Sequence, residues 1–415
     1  MTRYKGQDID PQTAGRELGV GGVVISKVLM FGESIVVRVE LVDVTSGWQI
    51  WGEQFNEKPA DIFRVQEEIA KHISEKLRLK LLGIEWERLF KPRTKNAEAY
   101  QFYLKGRYFL NKRTKDGYTM AIQSFEQAIQ LDPDYPQAYS GLADSYLLFD
   151  FYGLLPPWET IPKARAAAMK ALEIDGELAE VHSSLGSIKL IYDRDQVGAK
   201  KEFKRAIELN PKYAHAHNGY AHCLMDSGRI KESLTQCRIA LELEPFDLEI
   251  NQHLGWHYLF TRQYDRAIEQ LLKTLEMGPD FYRARLLLGI AFGQKGSFSK
   301  AIREFQRADD LEHTPVLTGF LGYAYAMDGK TNEARQLLKD LVKASRQSYV
   351  PPYSIALIYT GLGERGRALE WLEKAFVEHG HWRHWLKLTP EFDKLRTDDR
   401  FVQFLQTAGF DEARY

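Results

Sequence analysis

The stretch LGWHYLFTRQYDRAIEQLLKTLEMGP, residues 254–279, places small residues, large apolar residues and a closing proline at positions that return along most of the chain. Pro211, Pro245 and Pro279 follow one another at intervals of 34 residues. Two further series recur every 33 or 34 residues: Ala221, Gly255, Gly289, Gly322 and Ala356, and Ala267, Ala301, Ala334 and Ala368. Self-similarity at this period predicts a solenoid built from helix hairpins.

Each residue type in the repeat has a structural reason. Small side chains at Gly255 and Ala267 let two antiparallel helices approach closely, and Tyr258 and Leu271 fill the space between the helices. The proline opens the next unit, where its missing N–H costs nothing. Glycines stand where the first helix must end, because glycine adopts a positive φ without strain: Gly228, Gly296, Gly329 and Gly363. One hairpin cannot bury its own apolar face, so stacked units must cover one another.

This pattern resembles the tetratricopeptide motif, in which a small residue and an aromatic residue of the first helix precede alanine, a large apolar residue, alanine and proline. Gly106, Phe109, Ala121 and Phe125 match the motif in the first unit, with three extra residues in the turn. The second unit carries a longer insert, FYGLLPPWETIP. The resemblance implies a mainly α fold, a right-handed α-solenoid of about eight hairpins over residues 97–378.

The beginning of the chain has another periodicity. Asp10 is the predicted N-cap of a short helix that starts at Pro11 and ends at Leu18. The segments GVVISKVLM and IVVRVELVDV predict two strands joined at residues 31–34, and WQIWGEQF predicts a third. Residues 60–80 return to helical spacing. Alternation along the second strand places three apolar residues on one face: Val37, Val39 and Leu41.

Three stretches of this region resemble the later half of the TolB-like N-terminal domain: RYKGQDIDPQTAGRELGV, VRVELVDVTSGWQIWGEQFN and ADIFRVQEEIAKHISEKL. In bacteria that domain commonly precedes tetratricopeptide repeats in serine/threonine kinases and winged-helix regulators. The strand, helix and strand with which the family's domain begins are not in this sequence, and neither is a kinase or winged-helix segment. We therefore predict four parts: a partial TolB-like α/β domain with a three-stranded sheet at 1–82, a linker at 83–96, the repeats at 97–378 and a capping segment at 379–415.

The pattern changes after residue 378. A short helix over 399–408 is predicted to cover the last apolar face of the array, since solenoids need polar ends to stay in solution. His379, His381 and His384 are candidate metal ligands, but no cysteine lies near them. Packing or surface roles are therefore the favoured interpretation of these histidines.

Composition excludes several classes of function. The 415 residues contain 56 Lys and Arg against 57 Asp and Glu, so no long-range field attracts nucleic acid or an anionic membrane. The two cysteines, Cys223 and Cys237, are expected in the helices of one repeat as small apolar residues. No apolar run approaches the length of a membrane span. The expected location is cytoplasmic, or extracytoplasmic if the parent protein has an upstream membrane span.

The sequence offers no catalytic constellation. Gly329, Lys330 and Thr331 look like the tail of a phosphate-binding loop, but that loop needs a glycine where Ala324 stands. No kinase Gly-rich loop, catalytic loop or metal-binding Asp-Phe-Gly segment is present. We therefore expect no enzyme activity, no cofactor and no metal. A deep pocket with a strongly shifted acid or base would favour the alternative of an enzyme.

The candidate binding residues follow from the resemblance, because the first helices of tetratricopeptide arrays line the concave face. We expect the residue after each small mid-helix site to point there, together with residues one turn earlier. The predicted partner-binding set is Tyr103, Arg107, Asp144, Asn218, His222, Gln252, Trp256, Tyr323 and Tyr353. Tryptophan, tyrosine and arginine are favoured anchors of interfaces. Packing between neighbouring units is the alternative interpretation of Trp256 and Tyr323.

The predicted function is a non-catalytic scaffold that binds a peptide or a partner protein in the concave groove. A sensory or regulatory region of a bacterial signalling kinase or transcription regulator is the alternative that the resemblance implies. Binding of nucleic acid is disfavoured by the balanced charge. An open edge of the N-terminal sheet predicts pairing with another chain, which would give a homo-oligomer.

Overall fold

The structure is a computed structural model that describes residues 10–18, 20–31, 34–47, 49–58, 68–69, 94–151, 153–378, 386 and 388–407. The chain divides into two compact units. The first contains the residues up to Lys105 together with Glu126–Tyr135. The second contains Gly106–Phe125 and the residues from Pro136 onward.

The first unit includes a short helix and a three-stranded antiparallel sheet. Helix α1 spans Pro11–Leu18, and the strands are β1 Gly22–Phe31, β2 Ser34–Asp43 and β3 Gln49–Glu57. The strand order is β1-β2-β3. At the centre of the sheet, Val39 lies opposite Ser26 on one side and Glu53 on the other. The three predicted strands are confirmed within two residues at their ends.

The predicted N-cap and the predicted alternation along β2 are also confirmed. The carboxylate of Asp10 accepts a hydrogen bond from the backbone N–H of Thr13 at 2.9 Å, which caps α1. Arg38 is exposed on the opposite face of β2. The apolar face of β2 is buried: Val37, Val39 and Leu41. Of the helix predicted over 60–80, Glu68 and Ile69 are helical, and the rest lies outside the described residues.

Sixteen repeat helices follow in eight consecutive pairs in the described part of the chain. Their bounds are α2 Ala97–Leu110, α3 Lys115–Leu131, α4 Pro136–Phe151, α5 Pro157–Ile174, α6 Ala179–Ile188, α7 Gln196–Leu209, α8 Ala214–Asp226, α9 Ile230–Leu243, α10 Leu248–Phe260, α11 Tyr264–Met277, α12 Tyr282–Gln294, α13 Phe298–Asp309, α14 Pro315–Met327, α15 Thr331–Ala344, α16 Pro352–Gly361 and α17 Arg365–Val377. A π-helical turn, Lys189–Asp193, extends α6. A 3₁₀ helix, Pro390–Leu395, and α18, Asp399–Thr407, end the described chain.

Small residues in the first helices receive large side chains from the second, as the repeat predicts. The ring of Phe125 is so close to Gly106 and Gly141 that an added Cβ would come within 2.6 Å and 2.5 Å of it. In the fourth pair, Ala221 and Cys237 pack in one buried cluster with Leu254 of the next first helix. The first helix of this pair therefore packs in one cluster with its own partner and with the following repeat.

Three recurring prolines, Pro211, Pro245 and Pro279, lie in the turns between repeats and are not the first residues of helices. The N–H of Tyr213 donates to the carbonyl of Asn210 at 3.0 Å, which closes a turn around Pro211. Helix α8 then begins at Ala214. A fixed φ suits the second position of such a turn, which explains the choice of proline. The proline carbonyls accept hydrogen bonds from side chains six residues later: His217 at 3.0 Å, Asn251 at 2.8 Å and Arg285 at 2.7 Å.

Corners with positive φ end several first helices. The predicted glycines are confirmed, with φ from 72° to 79°: Gly228, Gly296, Gly329 and Gly363. In other repeats the residue with positive φ after the first helix is an arginine: Arg113, Arg194 or Arg262, with φ between 56° and 61°. A left-handed conformation costs about 1–2 kcal/mol for a residue with a Cβ. Each of these arginines contacts a residue far along the chain: Glu249, Phe376 and Leu388, respectively.

Contacts within the second unit link residues distant in sequence. The guanidinium of Arg194 lies 5.9 Å from the ring centroid of Phe376. Trp158, in the insert of the second repeat, meets Tyr349 edge to face at a centroid distance of 5.6 Å. Tyr192 donates a hydrogen bond to Asp150 at 2.6 Å.

The chain returns along the array after its last repeat. Arg262 donates to the carbonyl of Leu388 at 2.8 Å and to the carboxylate of Asp393 at 2.9 Å. Gln294 donates to Glu391 at 3.0 Å. Helix α18 lies where the capping helix was predicted. The three histidines weighed as metal ligands lie outside the described residues: His379, His381 and His384. No helix among the residues the structure describes has the length and apolar character needed to cross a membrane.

Candidate binding cavity

The first helices of six repeats surround a cavity of about 200 Å³, which lies in the second compact unit. Six of the nine predicted partner-binding residues line it: Arg107, Asp144, Asn218, His222, Gln252 and Trp256. These residues come from α2, α4, α8 and α10, so the helical register used for the prediction brings them to one place. Whether they bind a partner stays a prediction.

The other three predicted residues lie elsewhere. Tyr103 packs against Tyr135 in the first unit, with ring centroids 5.2 Å apart. Tyr353 is 1% exposed and stands edge-on to Phe392 at 5.6 Å, so the C-terminal segment contacts it. Tyr323 is also buried, and burial together with the carboxylate of Glu391 raises its pKa.

Trp256 both packs within the array and lines the cavity. It is 6% exposed, and its ring stacks on Phe260 at 4.2 Å and meets the His222 ring at 4.8 Å. His222 belongs to the preceding first helix, α8. The packing interpretation therefore describes most of this side chain, and its remaining surface contributes to the cavity wall.

The charged centre of the cavity is built around Glu249. Arg113 forms an ion pair with Glu249, and both side chains are nearly buried. A second guanidinium, that of Arg283, places Nη1 at 3.7 Å from Glu249 Oε1. Burial lowers the pKa of Arg283 to about 9. Arg283 also lies over the ring of Phe151 at 5.1 Å, which places an aromatic face against the cation.

Two histidines beside this centre, His253 and His257, are neutral at pH 7. Nδ1 of His253 faces the amide nitrogen of Asn218 and lies 3.1 Å from Nε2 of His222. Burial lowers the pKa of His253 to about 4 and that of His257 to about 3. His253 therefore acts as a hydrogen-bonding group and adds no charge to the cavity.

Two side chains give the cavity hydrogen-bond acceptors: Asp144 and Gln252. Asp144 accepts a hydrogen bond from Ser184 at 2.5 Å, and burial raises the pKa of its carboxyl group. The side-chain oxygen of Gln252 is buried, and no donor among the described residues reaches it. A buried acceptor without a donor is costly, so this atom is a place where a ligand can add a hydrogen bond.

The cavity residues that sequence reasoning missed include Arg113, His215, Glu249 and Arg283. Three of these four share one position in the helical register. His215 and Glu249 lie seven residues before His222 and Trp256, and Arg283 lies seven before Ile290, so all three face the same side one further turn back. Arg113 lies in the turn after α2, outside the helix, so the helical periodicity does not identify it.

Stacked helix pairs around a polar cavity define an α-helical repeat protein. A family model described as Tetratricopeptide repeat matches residues 198–247 and 254–312, and one described as TPR repeat matches residues 116–148. The chain thus contains tetratricopeptide repeats, as the motif indicated. The TolB-like resemblance of the N-terminal region stays a prediction.

Two curated relatives align with this chain over different lengths. The transcriptional regulator HilA of Salmonella typhimurium is 25% identical over 333 residues, which are 79% of this chain and 52% of HilA. Putative adenylate cyclase 3 of Rhizobium meliloti is 28% identical over 186 residues, 44% of this chain and 31% of the cyclase. This chain therefore spans about half of one relative and a third of the other.

A solved structure shares the fold at low identity. Human IFIT1, as a dimer with m7Gppp-AAAA, is 16% identical and superposes with a TM-score of 0.50. The superposition covers 76% of this chain and 77% of that protein. At this identity the likeness concerns the fold alone.

Proposed function

We propose that the protein is a non-catalytic interaction module whose partner contacts the cavity face of the repeats. The supporting observation is that six predicted concave residues from four first helices surround one cavity. Tetratricopeptide repeats supply such extended surfaces by stacking. The module would hold its partner through several contacts spread over successive repeats.

The dimensions of the cavity limit what enters it. A volume of about 200 Å³ lies below the roughly 300–1,000 Å³ of drug-sized sites, so a long helix cannot occupy it. One or two side chains of a partner can enter, while the rest of the partner contacts the rim. Charged groups of both signs line the cavity, so we expect a partner segment with mixed charge and an apolar anchor.

Affinity capture followed by direct binding tests the proposal. Proteins captured from the source organism are purified, and their affinity is measured by calorimetry for the unmodified chain and two charge-reversal variants. Arg107→Glu changes a half-buried arginine of the cavity, and Arg238→Glu changes an exposed arginine on α9 as the matched control. We expect only Arg107→Glu to weaken binding, by at least about tenfold. Equal affinities for the two variants would place the partner elsewhere.

A second candidate function is the regulatory region of a larger signalling protein. The alignment with HilA covers most of this chain but only about half of HilA, which supports a shared module joined to another domain. The experiment is to read the complete gene. A DNA-binding or kinase domain in the same reading frame supports this candidate, and a reading frame confined to these residues argues against it.

We also propose that the N-terminal sheet pairs with a second copy of the chain. β1 and β3 are the outer strands of the described sheet, and Val24 and Val28 on β1 are exposed. An outer strand with exposed apolar side chains offers unpaired backbone groups for strand addition. Sedimentation across a concentration series tests this pairing: a dimer that Val24→Lys disrupts supports it, and a monomer at every concentration contradicts it.

A further inference from the structure

We propose that the cavity binds a free α-amino acid with an apolar side chain. In this assignment the ammonium group meets Gln252 and Asp144, the carboxylate meets Arg283, and the side chain lies against Leu147 and Trp256. This inference goes beyond the proposed interaction function, because it assigns the interior of the array to a small ligand. It holds or fails without any protein partner.

The size of the cavity sets the size of the ligand. An engineered cavity of about 150 Å³ in another protein binds benzene, which has six heavy atoms. At about 200 Å³, this cavity accommodates a molecule with on the order of ten heavy atoms. Leucine, methionine and phenylalanine are of this size. Oligopeptides and nucleotides are larger.

The unpartnered oxygen of Gln252 requires a donor. Gln252 is 3% exposed and lines the cavity, so bulk water does not hydrate this oxygen freely. Asp144, on another helix of the cavity wall, supplies a second acceptor, held by Ser184. An ammonium group donates three hydrogen bonds, which is enough for both acceptors.

The buried guanidinium of Arg283 supplies the complementary end. Its contact with Glu249 is 3.7 Å, longer than a hydrogen bond, and Glu249 is shared with Arg113. A carboxylate is the planar partner that a guanidinium binds best. A ligand carboxylate here would add a charge-assisted hydrogen bond in a buried site.

The sum of the charges favours a ligand with no net charge. Three guanidiniums and two carboxylates line the cavity, and the carboxylate of Asp247 lies near enough to affect Arg113. His253 is neutral. A site with nearly balanced charge penalises a ligand that carries a net charge into it, since burial of an uncompensated ion is costly. A zwitterion brings charges of both signs.

Part of the wall is apolar, which selects among the amino acids. The leucine and aromatic residues of this part include Leu110, Leu147, Leu148, Phe151 and Trp256. An apolar ligand side chain would bury its surface here, and each buried methylene contributes to affinity. A charged side chain would lose its hydration with no partner on this wall.

Calorimetry on the purified full chain tests the inference, with each standard L-amino acid as a separate probe. We expect apolar amino acids of about ten heavy atoms to bind with dissociation constants below about 1 mM, and their D-enantiomers and the charged amino acids to bind at least tenfold more weakly. Thermal denaturation of the same samples should show a higher midpoint only with the ligands that bind.

Two variants separate the cavity from the surface. Gln252→Met removes the acceptor while keeping side-chain length, and Gln406→Met changes an exposed glutamine on α18 as the control. We expect Gln252→Met to weaken binding at least tenfold, because a hydrogen bond to a charged group is lost, and Gln406→Met to leave it unchanged. Asp144→Asn, which keeps shape, should also weaken it. Absence of binding by every amino acid at 10 mM, equal binding by Gln252→Met, or preference for charged amino acids would each overturn the inference.

Discussion

Arg113 and Glu249 form a nearly buried ion pair between the corner after α2 and the first turn of α10. The same carboxylate lies 3.7 Å from Arg283, so one acid compensates two buried guanidiniums. The ion pair thus joins the first and fifth repeats, and the side chain of Glu249 also lines the cavity.

Glu249→Gln should destabilise the fold strongly. The neutral amide leaves two buried cations without their carboxylate, and breaking a buried pair by removing one partner costs about 3–5 kcal/mol. Urea unfolding measures the loss. Glu208→Gln is the control, because Glu208 is exposed and pairs with Arg205 at 3.6 Å on the surface, where such pairs contribute about 0–1 kcal/mol. Similar losses for the two variants would contradict the prediction.

The hydrogen bond of Arg262 to the Leu388 carbonyl should contribute more to stability than its ion pair with Asp393. Asp393 is partly exposed, so Asp393→Asn should cost less than about 1 kcal/mol. Arg262→Gln also removes the hydrogen bond to the Leu388 carbonyl, and its cost should be about 2 kcal/mol. The free energies of unfolding of the two variants give the comparison. A larger loss for Asp393→Asn would reverse this assignment.

Glu391 should make stability fall as pH rises. Burial raises the pKa of this carboxyl group from its usual 4.5 to about 7 in the folded state. The folded protein therefore keeps a proton that the unfolded chain releases between pH 4.5 and 7. The stabilisation from this group is fully present below pH 4.5 and is lost as pH rises through about 7, a change of about 3 kcal/mol.

Glu391→Gln isolates that effect, because glutamine has no proton to lose. The difference in free energy of unfolding between the unmodified chain and the variant should decrease by about 3 kcal/mol from pH 4 to pH 8, as measured by urea unfolding at each pH. A difference that stays constant across this range would show that Glu391 does not titrate in this window.

Two glycines of α12 should respond in opposite directions to alanine. A Cβ at Gly289 would lie 2.5 Å from the ring of Phe305, and overpacking of this kind costs about 1–3 kcal/mol. A Cβ at Gly293 meets no atom closer than 3.8 Å, so alanine there should stabilise the helix by about 0.5–1 kcal/mol. Thermal unfolding of both variants tests the pair. Destabilisation by Gly293→Ala would show that a feature other than ring contact governs these sites.

The repeats were predictable because their chemistry is local. Gly289 is small where a ring must fit, and Gly296 ends its helix with a positive φ, so the sequence itself carries both signals. The strands were equally local, since alternation along β2 separates buried Val39 from exposed Arg38. Contacts of this kind need no knowledge of what lies far along the chain.

The binding residues were predictable only in part. Helical register assembled Asn218 and Gln252 at one cavity, but the same register selected Tyr353, which the C-terminal segment contacts through Phe392. No local pattern shows that a segment after the last repeat returns to pack there. The ion pair of Arg113 was missed for the same reason, because its partner is fixed by the tertiary arrangement.

Long-range contacts such as those of Trp158 with Tyr349 and Arg194 with Phe376 also affect how the array folds. In an open repeat array, each unit contacts only its neighbours, and stability is approximately a sum over units. Here the early and late repeats of the second unit contribute to each other's stability, and pairs distant in sequence raise the contact order, which slows folding. Whole repeats can be deleted from an open array with a loss proportional to their number; this protein lacks that modularity, because removing late repeats also takes partners from early ones.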